Sequence, residues 1–130
     1  MTKKVAIVQS NYIPWKGYFD LIHMVDEFVL FDDMQYTRRD WRNRNRIKIP
    51  NGVTWLTIPV EVKGKYFQKI NETVISDSNW NQQHWQSIRH SYAKAKYFHT
   101  YSALLEETYL STKETLLSEI NYRFIKMICL

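Results

Sequence analysis

The stretch KVAIVQSNYIPWKGYFDLIHMVDEFVLFDD, residues 4–33, decides the fold of this chain. Residues 4–9 (KVAIVQ) contain an uninterrupted apolar run, Val5 to Val8, that is rich in β-branched side chains, which predicts a short buried strand. From Gly17 onward the apolar residues recur at the spacing of one helix face, and residues 27–31 (EFVLF) predict a second strand. A strand, a helix and a strand within about 30 residues predict a parallel βαβ unit.

The rest of the chain predicts a hairpin followed by helices. Pro50-Asn51-Gly52 is a turn signal between a strand near residues 46–49 and a strand over residues 53–60, in which Pro59 marks an edge or the end of pairing. Three helices are predicted after it: from Asp77 or Ser78 to Lys96, over Tyr101–Tyr109, and onward from a cap at Ser111 or Thr112. The predicted fold is therefore α/β, an N-terminal βαβ parallel unit with an added β-hairpin, an incomplete Rossmann-like sheet and a helical C-terminal half.

The composition limits the class of protein. The chain has 130 residues, 45% hydrophobic and 15% aromatic, which suits one globular domain and excludes a disordered tail. The net charge of +5 favours anionic partners. The single cysteine, Cys129, excludes an intrachain disulfide, so we expect a cytoplasmic protein. No apolar run has the roughly 18 residues of a membrane span.

The final predicted helix carries an apolar stripe into its last residues, Met127 to Leu130, without a cap. This pattern predicts that residues 1–130 form a single, truncated domain. An exposed apolar face on that helix would favour self-association.

The turn after the first strand holds more polar and aromatic residues than a connection requires. In parallel sheets this turn, with a helix N-terminus beside it, is where phosphates and nucleotides bind. The alternative is that its aromatic residues are core side chains that cover the sheet edge. The candidate ligand-binding residues are Gln9, Asn11, Tyr12, Trp15, Gly17 and Tyr18.

Asp32 and Asp33 follow the second strand, at the sheet edge where the first turn also lies. Paired carboxylates there can hold Mg²⁺, bind a ribose or an amino group, or act as a base. Together with Gln9 they are the predicted catalytic residues. The alternative is a solvated turn that caps the next segment.

A basic segment follows, in which arginines alternate with aromatic and amide side chains. Arginine favours bidentate contacts with phosphate, so a nucleotide-sugar diphosphate or a nucleic acid fits, and the many asparagines favour the small ligand. A solvated basic loop is the remaining alternative. The candidate substrate-binding residues are Gln35, Tyr36, Trp41, Arg42, Asn43, Arg44, Asn45 and Arg46.

The four histidines lack the spacing of zinc ligands, so we predict no metal site from them. Cys129 has no evident base beside it, which argues against a nucleophile. There is no P-loop and no G-x-G-x-x-G motif. The sequence does not identify a cofactor. Mg²⁺ bound by Asp32 and Asp33 is the candidate.

Four segments resemble the WbqC-like protein family: QSNYIPWKGYFDLI, DEFVLFDDMQYTRRDWRNRNRIK, GVTWLTIPV and WNQQHWQSIRHSYAKAKYF. The resemblance runs in order over nearly the whole chain, and the patterns Q-x-N-Y-x-P-W-x-G-Y-F and Q-Y-x-x-x-x-W-x-N-R-N-x-I-K are specific. Members commonly belong to bacterial gene sets for O-antigen, lipopolysaccharide and other surface polysaccharides, and they are usually longer.

The resemblance implies a cytoplasmic transferase that acts on a nucleotide-activated sugar or its substituent. On that hypothesis Gln9 and Asn11 hydrogen-bond the ligand, Trp15 and Tyr18 stack on a ring, and Gly17 lets a phosphate approach the helix. Arg42, Arg44 and Arg46 then close over the diphosphate. The alternatives are a nucleic-acid-binding module that uses residues 36–48 and an inactive truncated product.

Overall fold

The computed structural model describes residues 2–129 and confirms the predicted α/β class. The first unit consists of strand β1 (Val5–Val8), helix α1 (Lys16–Met24) and strand β2 (Glu27–Leu30). The hairpin strands are β3 (Arg44–Ile49) and β4 (Gly52–Thr57), followed by one 3-10 turn at Ile70–Glu72. Three helices complete the chain: α2 (Trp80–Tyr92), α3 (Phe98–Ser111) and α4 (Leu117–Cys129).

The strands form two separate two-stranded sheets. In the first, β1 and β2 are parallel with Val5 opposite Glu27 and Val8 opposite Leu30. In the second, β3 and β4 are antiparallel with Arg44 opposite Thr57. The predicted βαβ unit and the predicted hairpin are therefore both present.

The prediction that the first strand is buried is wrong. Tyr18 of α1 packs on Phe28 with ring centroids 5.2 Å apart, which covers one face of the parallel sheet. On the other face Val5, Ile7 and Val29 are 47%, 62% and 42% exposed. The apolar run in the sequence predicts burial on two faces, but within residues 2–129 the fold covers only one.

The main core lies among the three C-terminal helices and the hairpin. Trp80, Tyr109 and Phe124 are almost fully buried, and the centroids of the last two rings are 4.6 Å apart. Helix α2 buries Trp80, His84, Trp85 and Ile88. These residues form the face that packs against α3 and α4.

The predicted starts of two helices are wrong. The Asp77 carboxylate accepts the Asn79 N–H at 2.8 Å, and α2 begins only at Trp80. Thr112 ends α3 instead of starting α4. Residues 112–116 stay extended because Thr115 and Leu117 exchange backbone hydrogen bonds with residues 73–75.

Helix α4 turns its apolar stripe into the core. Leu117, Ile120 and Phe124 are fully buried, whereas Ile128 is 42% exposed and Cys129 is exposed. The exposed apolar face from which self-association was expected is therefore reduced to the last turn of the helix.

Candidate ligand-binding site

Two motifs that lie apart in the sequence line one cleft of about 290 Å³. The turn after β1 supplies one wall, and the segment that enters β3 supplies the other. The lining residues are Asn11, Pro14, Trp15, Trp41 and Asn45. Four of these five are predicted ligand-binding residues, so the structure brings this part of the predicted site together. We call this site the aromatic cleft.

Hydrogen bonds fix the two walls to each other. The Tyr12 N–H donates to the Trp41 carbonyl at 3.2 Å. An Arg42 guanidinium N–H donates to the Asn11 side-chain oxygen, 31 positions away in the sequence. The Asn45 amide donates to the carbonyls of Tyr12, at 3.3 Å, and Ile13. The cleft is therefore held in shape by the same amides that line it.

The backbone at Ile13 is strained. Its φ of 44° lies in the left-handed region, which a β-branched residue rarely adopts. Such strain costs about 1–3 kcal/mol and is concentrated at functional sites. The Asn45 amide, which binds the Ile13 carbonyl, holds this conformation beside the cleft.

Trp15 covers Gly17. The Trp15 side chain is 74% exposed, and a Cβ at Gly17 would overlap its ring. The ring therefore fills the space in which the sequence predicted the approach of a phosphate. Glycine is required at position 17 because a side chain there would overlap the indole of Trp15. The opposite face of the indole ring remains free.

A cluster of arginine and tryptophan side chains lies on the hairpin beside the cleft. The Arg44 guanidinium lies 4.0 Å from the Trp55 ring centroid, and Arg46 lies 5.3 Å from Trp55 and 5.8 Å from Trp41. The two indoles are 5.5 Å apart. Sequence analysis missed Trp55, although the register of the hairpin, with Arg46 opposite Trp55, indicates it once the turn is placed.

The predicted aspartate pair is divided between two environments. Asp32 is buried, and its carboxylate accepts the Ser10 N–H at 2.8 Å, the Ser10 hydroxyl at 2.7 Å and the Ser118 hydroxyl. Asn121 extends this network by donating to the Ser10 hydroxyl at 3.0 Å. Asp32 therefore connects the first turn to α4.

Asp33 is exposed and lies 3.6 Å from the Lys69 ammonium and 3.2 Å from the Asn71 amide. Across residues 2–129 no group of three His, Cys, Asp or Glu side chains is arranged to hold a metal ion.

Tyr12 belongs to a buried hydrogen-bond relay of three side chains, Tyr12, His84 and Tyr109. Its ring is therefore not available to a ligand. His84 Nε2 lies 2.9 Å from the Thr57 carbonyl, which can only accept, so Nε2 carries the proton. Nδ1 then accepts from the Tyr12 hydroxyl at 2.9 Å, and Tyr12 in turn accepts from Tyr109. Burial lowers the pKa of His84 to about 4, against an opposing contribution from the bond to Thr57.

Burial also raises the pKa of both tyrosines in the relay. For Tyr12 the neighbouring Tyr109 adds to the effect, whereas for Tyr109 the hydrogen bond to Tyr12 opposes it. All three side chains therefore stay neutral near pH 7. The relay fixes the first turn on the helical core.

Two further predicted residues support the backbone. The Tyr18 hydroxyl donates to the Gln9 carbonyl at 3.0 Å. The pKa of Tyr18 is raised by burial and by Asp32, with Arg42 opposing. The buried Asn43 amide donates to the Ile58 carbonyl at 2.8 Å. The Gln9 side chain is half-buried beside the turn.

Gln35 and Tyr36 do not line the aromatic cleft. They lie on a second, larger pocket formed with the loop before the 3-10 turn. The predicted site is therefore divided: the turn and residues 41–46 meet, while residues 35–36 lie on another surface.

The fold and the cleft together define an α/β protein with a cleft at the turn after its first strand. The chain belongs to the WbqC-like protein family, since the family model matches residues 9–130. The resemblance drawn from the motifs is thus confirmed.

One relative is the uncharacterized protein Rv1507c of Mycobacterium tuberculosis (strain ATCC 25618 / H37Rv). It is 54% identical over 127 residues, which cover 98% of this chain and 55% of the relative. The chain therefore spans about half the length of that relative. No solved structure matches. None of the helices within residues 2–129 has the length and apolar character that a bilayer crossing requires.

Proposed function

We propose that the chain is the sugar-binding part of a transferase that acts on a nucleotide-activated sugar, or on its substituent, in bacterial surface polysaccharide synthesis. The observation that supports this most is the convergence of the two most specific family motifs on the aromatic cleft. The activity is proposed for the whole protein, of which this chain matches one part in the mycobacterial relative.

The lining of the cleft suits a sugar ring. The exposed indoles of Trp15 and Trp41 offer flat apolar surfaces to the C–H face of a pyranose. The Asn11 side-chain N–H groups offer hydrogen bonds to hydroxyl groups, whereas the Asn45 N–H groups are already bonded to backbone carbonyls. The volume of about 290 Å³ accommodates one ring rather than a whole nucleotide.

Positive charge lies beside this cleft. Arg46 contacts Trp41, which lines the cleft, and Arg44 lies on the adjacent Trp55. Two guanidinium groups there favour a diphosphate attached to the bound sugar. Arg42 contributes less to such a site, since it is bound to Asn11 and lies 3.9 Å from Asp40.

The predicted roles in catalysis remain predictions. Asp32 is buried and accepts three hydrogen bonds from Ser10 and Ser118, so we assign it to the architecture of the site. Gln9 and Asp33 are left as candidates for the chemistry, and the cytoplasmic location and any role of Mg²⁺ stay predictions.

A thermal-unfolding scan with a panel of UDP-, dTDP- and GDP-sugars first identifies the nucleotide sugar that stabilises the chain. Titration calorimetry then compares the wild type with Trp15→Ala, which removes an exposed ring. Loss of one stacking platform is worth about 1–3 kcal/mol, so we expect binding to weaken by about five- to 150-fold.

The matched control is Tyr97→Ala, which removes a ring that is 60% exposed and lies between α2 and α3. Unchanged affinity in this control is expected. Wild-type affinity in Trp15→Ala, or no response to any nucleotide sugar, would contradict the proposed function.

Nucleic-acid binding is the second candidate, and the cluster of Arg44, Arg46, Trp41 and Trp55 is the observation that favours it. Salt dependence separates the two functions. Single-stranded RNA held by several arginines loses affinity by orders of magnitude between low and moderate salt, whereas a sugar nucleotide with two phosphates responds far less.

A further inference from the structure

A second pocket, of about 700 Å³, lies between the segment after β2 and the loop before the 3-10 turn. It shares no lining residue with the aromatic cleft. We call it the basic pocket. Its walls are residues 35–38, residues 62–66 and Gln68.

Backbone and side-chain bonds fix the two walls of the basic pocket. The Tyr36 N–H donates to the Gln68 carbonyl at 2.9 Å. The Gln35 amide donates to the Tyr66 carbonyl, also at 2.9 Å, and Gln35 pairs with Lys69 in an isolated bridge. The pocket is thus part of the ordered fold and does not depend on a loose loop.

The lining of the basic pocket carries positive charge only. The charged side chains that line it are Arg38, Lys63 and Lys65, and no carboxylate is among the lining residues. Lys65 lies 2.9 Å from Glu61, but both groups are largely exposed, so this pair is weak and exchangeable. Arg38 and Lys63 form no ion pair with any group in residues 2–129. Three cations around one concavity favour a phosphorylated ligand.

Gln68 supplies a polar group that lacks a partner. The residue is 9% exposed, and its amide N–H donates to the Glu61 carbonyl at 2.9 Å. Its Oε1 is buried and accepts no hydrogen bond from the described residues. A buried acceptor without a donor costs about 1–3 kcal/mol, which an N–H or O–H of a ligand would recover.

An exposed aromatic ring lies on the same pocket. Tyr66 is 75% exposed and forms a T-shaped pair with Phe67, with ring centroids 4.9 Å apart, which covers at most one of its faces. A free ring face next to cations is the combination that binds a nucleobase and its phosphates. The volume of the pocket also matches a nucleotide.

We propose that the basic pocket is a second ligand site, which binds a nucleoside mono- or diphosphate. Arg38 and Lys63 bind the phosphates, Tyr66 stacks on the base, and Gln68 accepts a hydrogen bond from the base or the ribose. This site goes beyond the proposed function, because it requires no transfer reaction and no occupation of the aromatic cleft.

The test is calorimetric titration of the full chain with UDP, AMP and inorganic pyrophosphate. In the double variant Arg38→Ala/Lys63→Ala we expect at least a tenfold loss of affinity for all three probes. In Tyr66→Ala we expect a similar loss for UDP or AMP and none for pyrophosphate. The matched control is Lys94→Ala/Lys96→Ala, which removes the same charge from exposed positions after α2 and is expected to bind like the wild type.

The proposal would be overturned by no binding of the probes to the wild type, by wild-type affinity in the Arg38/Lys63 variant, or by an equal loss in the lysine control. Tighter binding of single-stranded RNA than of UDP, with a steep dependence on salt, would overturn it in favour of nucleic acid. These results concern the basic pocket only. The proposed function is tested separately, by the affinity of Trp15→Ala for nucleotide sugars.

Discussion

Asp32 and Asp33 are neighbours in the sequence, but their carboxylates lie in opposite environments. Asp32 is 5% exposed and accepts from Ser10 and Ser118, whereas Asp33 lies at the surface near Lys69. The local sequence predicts a pair at the end of a strand. Which of the two faces inward depends on Ser118 in the last helix, and no local pattern contains that information.

This difference gives the first prediction. Asp32→Ala leaves the Ser10 N–H and the hydroxyls of Ser10 and Ser118 without their acceptor, so we expect the free energy of unfolding to fall by about 3 kcal/mol. Asp33→Ala, which breaks only exposed contacts, should cost less than about 1 kcal/mol. Urea unfolding of both variants measures this, and an equal loss in the two would show that the buried network is not what stabilises the turn.

At the same scale, the sequence predicted the residues that line the aromatic cleft better than the residues that hold the first turn in place. Asn11 and Trp15 stand out because the turn after β1 carries more amides and rings than a connection requires, and Trp41 and Asn45 stand out because they alternate with the arginines of the basic segment. Tyr12 belongs to the same motif but is fully buried. Its partners, His84 and Tyr109, are 72 and 97 positions away, so a motif alone cannot separate a ligand residue from its support.

At the scale of elements, local signals predicted which strands and helices exist better than where they begin. Asp77 and Thr112 are good capping residues, and each lies a few positions before a helix. The residues between Thr112 and α4 do not continue a helix, because they form an extended segment that pairs with residues 73–75. Long-range pairing therefore overrides a local cap.

The hairpin turn gives the second prediction. Gly52 has a φ of +137°, a conformation accessible almost only to glycine, and Gly64 has a φ of +72°, which other residues adopt at moderate cost. We expect Gly52→Ala to lower the free energy of unfolding by about 2–3 kcal/mol and Gly64→Ala by about 1 kcal/mol. Chemical denaturation of the two variants checks the order, and a larger loss at Gly64 would contradict it. Neither site is crowded, so only the backbone differs.

At the scale of the whole molecule, His84 couples the stability of the core to pH. The folded state holds the pKa of His84 at about 4, because burial disfavours the charged ring, whereas the exposed ring titrates near 6.5. As pH falls below about 6.5 the unfolded state binds a proton that the folded state does not. The contribution of His84 to the free energy of unfolding should therefore be constant above pH 7 and fall by about 3 kcal/mol between pH 6.5 and pH 4.

The variant His84→Gln tests whether His84 causes the loss of stability at acid pH. Glutamine offers one donor for the Thr57 carbonyl and one acceptor for Tyr12, but it does not titrate. Urea midpoints measured from pH 4 to pH 8 should fall less steeply in this variant than in the wild type. The same slope in both would assign the acid sensitivity to other groups.

The network around Asp32 also has a consequence for the order of folding. Asp32 is bound to Ser118, 86 positions later, and Ser10 is bound to Asn121, 111 positions later. Contacts of such high sequence separation form late and slow the folding of a domain. A nascent chain that has not yet reached residue 118 therefore carries the first turn without its anchor in α4, and the turn becomes fixed only when that helix has docked.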